Sequence, residues 1–198
     1  MCLGVKILAS LLTLILLSTC PRTEAGCEII GHDIAVELDL DAHSLSATDT
    51  LSIRLEEGVA GDREHGTQDR TIAFLLNNRL HIDYIRAGSG DLQWRRKGGI
   101  KPGESGTSND ADLLEVSLPA SINGNDIALN LSYHGVLYEP LDSDGVLVAT
   151  ITPDFVYLTP AAHWYTDLPD GSLSTFRVST MVPNGYEVIT HGKLAARR

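Results

Sequence analysis

The chain has 198 residues, 26 of them acidic against 15 basic, for a net charge of −11, and 43% of it is apolar. That length fits one domain with its own core. The acidic balance argues against a nucleic-acid binder, which needs a basic stripe to neutralise phosphates.

Residues 1–25 have the pattern of a signal peptide: Lys6 gives a positive start, Ile7 to Leu17 an eleven-residue apolar core, and Thr23-Glu24-Ala25 a cleavage site. Eleven apolar residues are too few to cross a ~30 Å hydrocarbon layer as a helix. The expected product is exported, to the periplasm or the extracellular space, starts near Gly26 and has no transmembrane helix after cleavage. Leu17-Ser18-Thr19-Cys20 also has the outline of a lipoprotein box, which makes Cys20 the candidate lipidation site. Thr19 is off-pattern and Pro21 is awkward there, so ordinary cleavage after Ala25 is the preferred reading. The other cysteines are Cys2 and Cys27. A cleaved product keeps at most one, which can form no internal disulfide. Stability must come from the core.

From His32 the dominant signal is alternation with period two, which predicts strands. Ile34, Val36, Leu38 and Leu40 face one way and Asp33, Ala35, Glu37, Asp39 and Asp41 the other. After a short turn at Asp41-Ala42-His43, the segment Leu45 to Leu55 alternates again, and the pair predicts a hairpin. Asp49 interrupts its inward face, where a carboxylate needs partners; a bulge or the hydroxyls of Thr48 and Thr50 are the alternatives. Further strands are predicted at Thr71 to Leu76, Leu80 to Arg86, Leu92 to Arg95, Leu113 to Leu118 and Asp126 to Tyr133. Two polar, Gly-rich loops, Glu57 to Arg70 and Lys97 to Ala111, separate strand groups without marking a domain boundary. The basic triplet Arg95-Arg96-Lys97 is taken as a solubilising flank. No window beyond the leader carries a helical apolar period, so residues 26–198 are expected to form one all-β domain, an antiparallel two-layer sandwich.

Catalytic groups are not apparent. The seven histidines, at 32, 43, 65, 81, 134, 163 and 191, are never closer than eleven residues, so the chain has no pair one helical turn apart for a catalytic zinc. Histidines remote in sequence can still converge across a sheet. Asp142-Ser143-Asp144-Gly145 lacks the alternating donors and terminal Glu of a calcium loop. Gly103-Glu104-Ser105-Gly106 misses the spacing of a nucleophile elbow. Asn130-Leu131-Ser132 is a glycosylation sequon by pattern alone. No catalytic or metal residue is assigned. The aromatic run Phe155, Tyr157, Trp164 and Tyr165 carries the remaining interest, as a plug in the core or as an interface.

Past Pro160 and the Pro169-Asp170-Gly171 turn, a strand is predicted at Ser174 to Val182, then a Pro-Asn-Gly turn and a second strand at Tyr186 to Thr190. This order, with His32-Asp33-Ile34-Ala35-Val36-Glu37-Leu38 upstream, Phe74-Leu75-Leu76-Asn77-Asn78-Arg79-Leu80 midway and Trp164-Tyr165 near the end, resembles the N-terminal β-domain of the aminopeptidase-N-like zinc metallopeptidases across roughly His32 to Leu194. Thr166 stands where many relatives have Pro. No side chain near Leu158 to Ala162 matches the group that relatives lend to a substrate's amino terminus.

The resemblance implies a saddle-shaped β-domain that packs on a catalytic metallopeptidase domain, in cis or in trans, through the region of Phe155, Tyr157, Trp164 and Tyr165. Zinc and H-E-x-x-H would belong to that second domain, so no cofactor is expected here and the chain would be a truncated product or a fragment. The alternative is a free-standing exported module binding a peptide, glycan or protein.

Overall fold

A computed structural model describes residues 26–56, 70–98, 111–122, 124–138, 147–169, 171 and 173–196. The leader with Cys20, most of both polar loops, Gly103-Glu104-Ser105-Gly106 and the Asp142-to-Gly145 turn lie outside these residues.

Among the described residues eleven strands run in chain order: β1 Cys27–Asp39, β2 Ser44–Leu55, β3 Arg70–Asn77, β4 Leu80–Ala87, β5 Gly90–Asp91, β6 Gln93–Lys97, β7 Ala111–Leu118, β8 Asp126–Val136, β9 Ala149–Ile151, β10 Val156–Leu158 and β11 Thr175–Met181, with a 3-10 turn at Pro160–Ala162. A six-stranded sheet has the order β11-β1-β2-β8-β4-β5, a three-stranded sheet the order β3-β7-β6, and β9 and β10 form a hairpin. The three-stranded sheet packs on the inner face of the large one. Ile34, Leu51, Leu129 and Leu131 meet Ile72, Phe74, Leu114 and Val116 in one continuous core. The inward positions of β1 and β2 are those the alternation predicted.

Several elements differ from expectation, each for a local reason. β1 reaches back to Cys27 because a bulge between Ile29 and Gly31 resets its phase, so that Ile29 and His32 both face the core. Gly31 lies under β11, and a Cβ there would sit 2.7 Å from Thr175 Oγ1. The sheet is mixed, because β11 pairs parallel to β1 in the register His32↔Phe176 and Ile34↔Val178. The strand predicted at Tyr186 to Thr190 does not form. After a turn closed by the Tyr186 amide on the Pro183 carbonyl, the chain is irregular and Ile189 is exposed. Alternation there has no strand to pair with among the described residues.

The basic triplet is not a free flank. Arg95 and Lys97 bind the buried carboxylate of Glu115, while Arg96 reaches the Leu80 carbonyl at the start of β4 and the Asp112 carboxylate. It thereby ties the small sheet to the large one. Burial alone would raise the Glu115 carboxyl, but the Lys97 and Arg95 hydrogen bonds outweigh it and hold that group below the usual carboxylate range.

Candidate functional site

The four aromatic residues singled out from the sequence separate in the structure. Phe155 and Tyr157 are 50% and 47% exposed on the β9–β10 hairpin. Tyr157 pairs with Thr150, which bridges on its other side to Tyr138, so two exposed tyrosines flank a buried threonine. Trp164 is half-buried against the core, and Tyr165, 8% exposed, belongs to it. For Tyr165 the core reading holds.

Tyr165 is placed by a segment that bridges the two sheets. The Leu75 amide donates to the Asp167 carbonyl at 2.7 Å and the Asp167 amide returns a bond to Leu75 at 3.1 Å. Asn77 donates from its side chain to Ala162 (2.8 Å) and from its amide to His163 (2.9 Å). His163 adopts a left-handed conformation (φ 47°) that ends the 3-10 turn. Its ring is buried, and burial lowers its basicity, with Asp167 opposing. Pinned to β3 on one side, the segment turns Tyr165 and Thr166 toward β1 and β2.

There they meet the inward Asp49. His32 Nδ1 donates to Asp49 Oδ2 at 2.9 Å, with both side chains fully buried, and Thr166 Oγ1 donates to the same oxygen at 3.3 Å. The Thr48 and Thr50 hydroxyls, proposed from the sequence as partners, lie on the opposite, exposed face. Thr50 instead donates to Asn130 of the sequon at 2.8 Å. Burial, and after it the Asp49 charge and Tyr165, push the Tyr133 hydroxyl well above its ordinary range. Burial first, then Asp167 and Asp49, push Tyr165 up to about 12.

A His–Asp pair invites comparison with a hydrolase dyad, but the surroundings give it a structural role. His32 is stacked on Phe176 (centroids 4.6 Å apart, planes 2° apart) and met edge-on by Tyr165 at 5.4 Å. Tyr165 meets Phe176 edge-on at 5.1 Å and Trp164 at 5.0 Å. The imidazole is therefore closed in by rings, and no serine or cysteine is hydrogen-bonded to it among the described residues. No group of three or more His, Cys, Asp and Glu among those residues could hold a metal ion.

The aromatic wall marks where the cover of the large sheet stops. His32 and Ile34 on β1 are 5% and 0% exposed, whereas their register partners one strand over, Phe176 and Val178, point the same way and are 48% and 39% exposed. Met181, in register with the exposed Glu37, lies on the opposite face of β11, and Val188 and Ile189 are exposed in the irregular stretch after it. The outer edge of β11 pairs with no strand among the described residues. An apolar face next to an open strand edge is a surface suited to a partner. His32, Thr166 and Phe176 escaped the sequence reading. The available signal was the phase of His32, which matches Ile34, Val36 and Leu38.

No protein-family model matches the sequence and no curated protein matches it. Solved structures do. Two are mutants of the M1 zinc metallopeptidase of Deinococcus radiodurans, one of them bound to a Tyr-Ser-Ala substrate. They align at 16% identity with TM-scores of 0.52 and 0.51, over 78% of this chain and 32% of theirs. Leukotriene A4 hydrolase of Saccharomyces cerevisiae aligns at 12% identity and a TM-score of 0.38, over 59% of this chain and 17% of its own. The likeness to the Deinococcus enzyme is one of fold, and the matched part spans about a third of that enzyme. No helix among the described residues is long and apolar enough to cross a membrane.

Proposed function

We propose that this chain is the non-catalytic N-terminal β-domain of an exported aminopeptidase-N-like zinc metallopeptidase, which packs on the catalytic domain and shapes one wall of its substrate cleft. The observation that carries this reading is the uncovered strip at β11. A strand whose inward residues Phe176 and Val178 are about half exposed, beside a strand that is fully covered, fits a face that a further domain would cover. The metallopeptidase fold likeness and the motif order from His32 to Leu194 support the identity of the missing neighbour.

In this arrangement the domain supplies no reacting group. Its sequence lacks H-E-x-x-H, so a positioned Lewis acid and a general base would come from the partner. The domain's contribution is positional: the bridging segment at residues 160–168, fixed to β3 and to the Asp49 cluster, holds Trp164 and Phe176 rigidly at the margin of the strip. Zinc then belongs to the partner domain, and the leader at residues 1–25 delivers the product outside the cytoplasm.

The coding DNA beyond the codon for Arg198 tests this reading. A continuing frame, or one restored by a single-base shift, that encodes H-E-x-x-H is the expected result. A stop followed by unrelated sequence would favour a free-standing exported module instead, for which the exposed pair Tyr138 and Tyr157 flanking β9 would be the binding surface.

A further inference from the structure

A second cluster lies on the outer face of the large sheet, on strands far from β11. His81 on β4 is directly opposite His134 on β8, and His134 is opposite Ser46 on β2. Directly opposed residues on antiparallel strands have Cβ atoms ~5 Å apart and share a face. The two imidazole rings are 5.7 Å apart between centroids and inclined by 34°. They line an open concavity of about 480 Å³ together with Ser44, Ser46 and Arg79.

Asp83 sets the chemistry of this pair. It is the extra residue of a bulge between Ile82 and Tyr84, and its carboxylate turns toward β8. His134 Nδ1 donates to Asp83 Oδ1 at 2.9 Å, and Ser132 Oγ donates to Asp83 Oδ2 at 2.9 Å. With Nδ1 carrying the proton, the other ring nitrogen of His134, Nε2, keeps its lone pair. A carboxylate that fixes the tautomer and orientation of an imidazole is the usual outer partner of a metal-bound histidine. No hydrogen bond to the His81 ring occurs among the described residues. Arg79, the cation nearest the concavity, donates to the Tyr138 carbonyl at 3.0 Å.

We propose that His81 and His134 chelate one divalent transition-metal ion of the zinc, nickel or copper class, with Asp83 as the positioning residue for His134. Two imidazoles on one tetrahedral ion with Zn–N distances of ~2.05 Å place their ring centres about 5 Å apart. The observed separation comes within a small side-chain rotation of that value. Imidazole donors select this class of ion over magnesium and calcium, which take oxygen ligands. With two protein ligands, the remaining coordination positions face the concavity and are open to water or to a donor from a partner.

Calorimetric titration of the purified full chain with zinc chloride at neutral pH, with imidazole resonances followed by NMR, tests the site. One zinc per chain is expected, shifting the His81 and His134 resonances together. His81→Ala and His134→Ala should each abolish saturable binding, while Asp83→Asn should weaken it by about tenfold. His191→Ala, at an exposed position far along the chain, should leave it unchanged. All these side chains are exposed, so the variants keep the core intact. Unchanged zinc binding in His81→Ala and His134→Ala, loss of binding in His191→Ala, or no saturable binding by the parent chain would each overturn the proposal.

Discussion

Asp49 is fully buried with two hydrogen-bond donors, and replacing His32 by Leu tests what that partnership contributes to the fold. In the native core the Asp49 carboxylate accepts from His32 at 2.9 Å and from Thr166 at 3.3 Å, and the side chains of Asp49 and His32 are fully buried. Leu in place of His32 removes the shorter bond and leaves an under-partnered charge in an apolar layer. Breaking a buried pair from one side costs about 3–5 kcal/mol, a large fraction of the roughly 5–15 kcal/mol that holds a domain together. With a urea slope of about 2 kcal/mol/M, the unfolding midpoint should fall by roughly 2 M. The double variant His32→Leu, Asp49→Leu removes both partners and should recover most of the loss, because apolar replacement of a whole buried pair is often neutral or better. Urea unfolding of the parent, both single variants and the double variant closes the cycle. A loss below about 1 kcal/mol for His32→Leu, or a double variant as unstable as the sum of the singles, would refute the idea that the two residues stabilise each other.

Tyr165→Ala should cost about 3–5 kcal/mol as a core aromatic deletion, whereas Phe176→Ser with Val178→Ser should cost much less and raise the concentration at which the chain self-associates; thermal unfolding and light scattering measure the two effects. Gly135→Ala should destabilise by about 1–3 kcal/mol, because a Cβ there would collide with the Arg79 carbonyl, and circular-dichroism melts would register it. Glu115 has a depressed pKa in the folded state, so its contribution is complete above the ordinary value of 4.5 and is lost as pH falls through the folded value. Stability curves of Glu115→Gln and the parent should therefore converge in acid and separate at neutral pH, and salt should narrow the gap because Arg95 and Lys97 are half exposed.

The strand pattern was legible because burial follows a period of two. Ile34, Val36 and Leu38 on β1 and Leu45, Leu51 and Ile53 on β2 were placed by alternation alone. What failed to show were features set by tertiary partners. The bulge at Ile30 disguised the first third of β1, since one extra residue reverses the phase that carries the signal. β11 and the Tyr186-to-Thr190 stretch look equally strand-like, and only the availability of β1 as a neighbour separates them. The parallel pairing of β11 joins residues too distant for any local pattern. Asp49 was conspicuous in sequence, yet its donors come from β1 and from a bridging loop. Thr166, in that loop, carries no periodic signature at all. Among the four aromatic candidates, flanking prolines indicated an irregular segment but could not tell Tyr165 inside from Tyr157 outside. The His81–His134 pair needed the β4–β8 register to become visible.

The parallel pairing of β1 with β11 also sets a timetable. Arg177 on β11 meets Asp33 on β1 across 144 residues of sequence. At a synthesis rate of about 5–20 residues per second, the outer edge of β1 waits roughly 7–30 s for its neighbour. During that interval its amides and carbonyls can template pairing with another nascent chain. Asp33, Glu37 and Asp39, exposed along the same strand, give the waiting edge a repulsive charge that discourages such encounters. A product interrupted before Thr175 would keep that edge open for its whole lifetime, and Ile34 and Val36 would lose their neighbour along one side. Arrival of β11 thus closes the edge of β1 and moves the open edge one strand outward, to β11 itself.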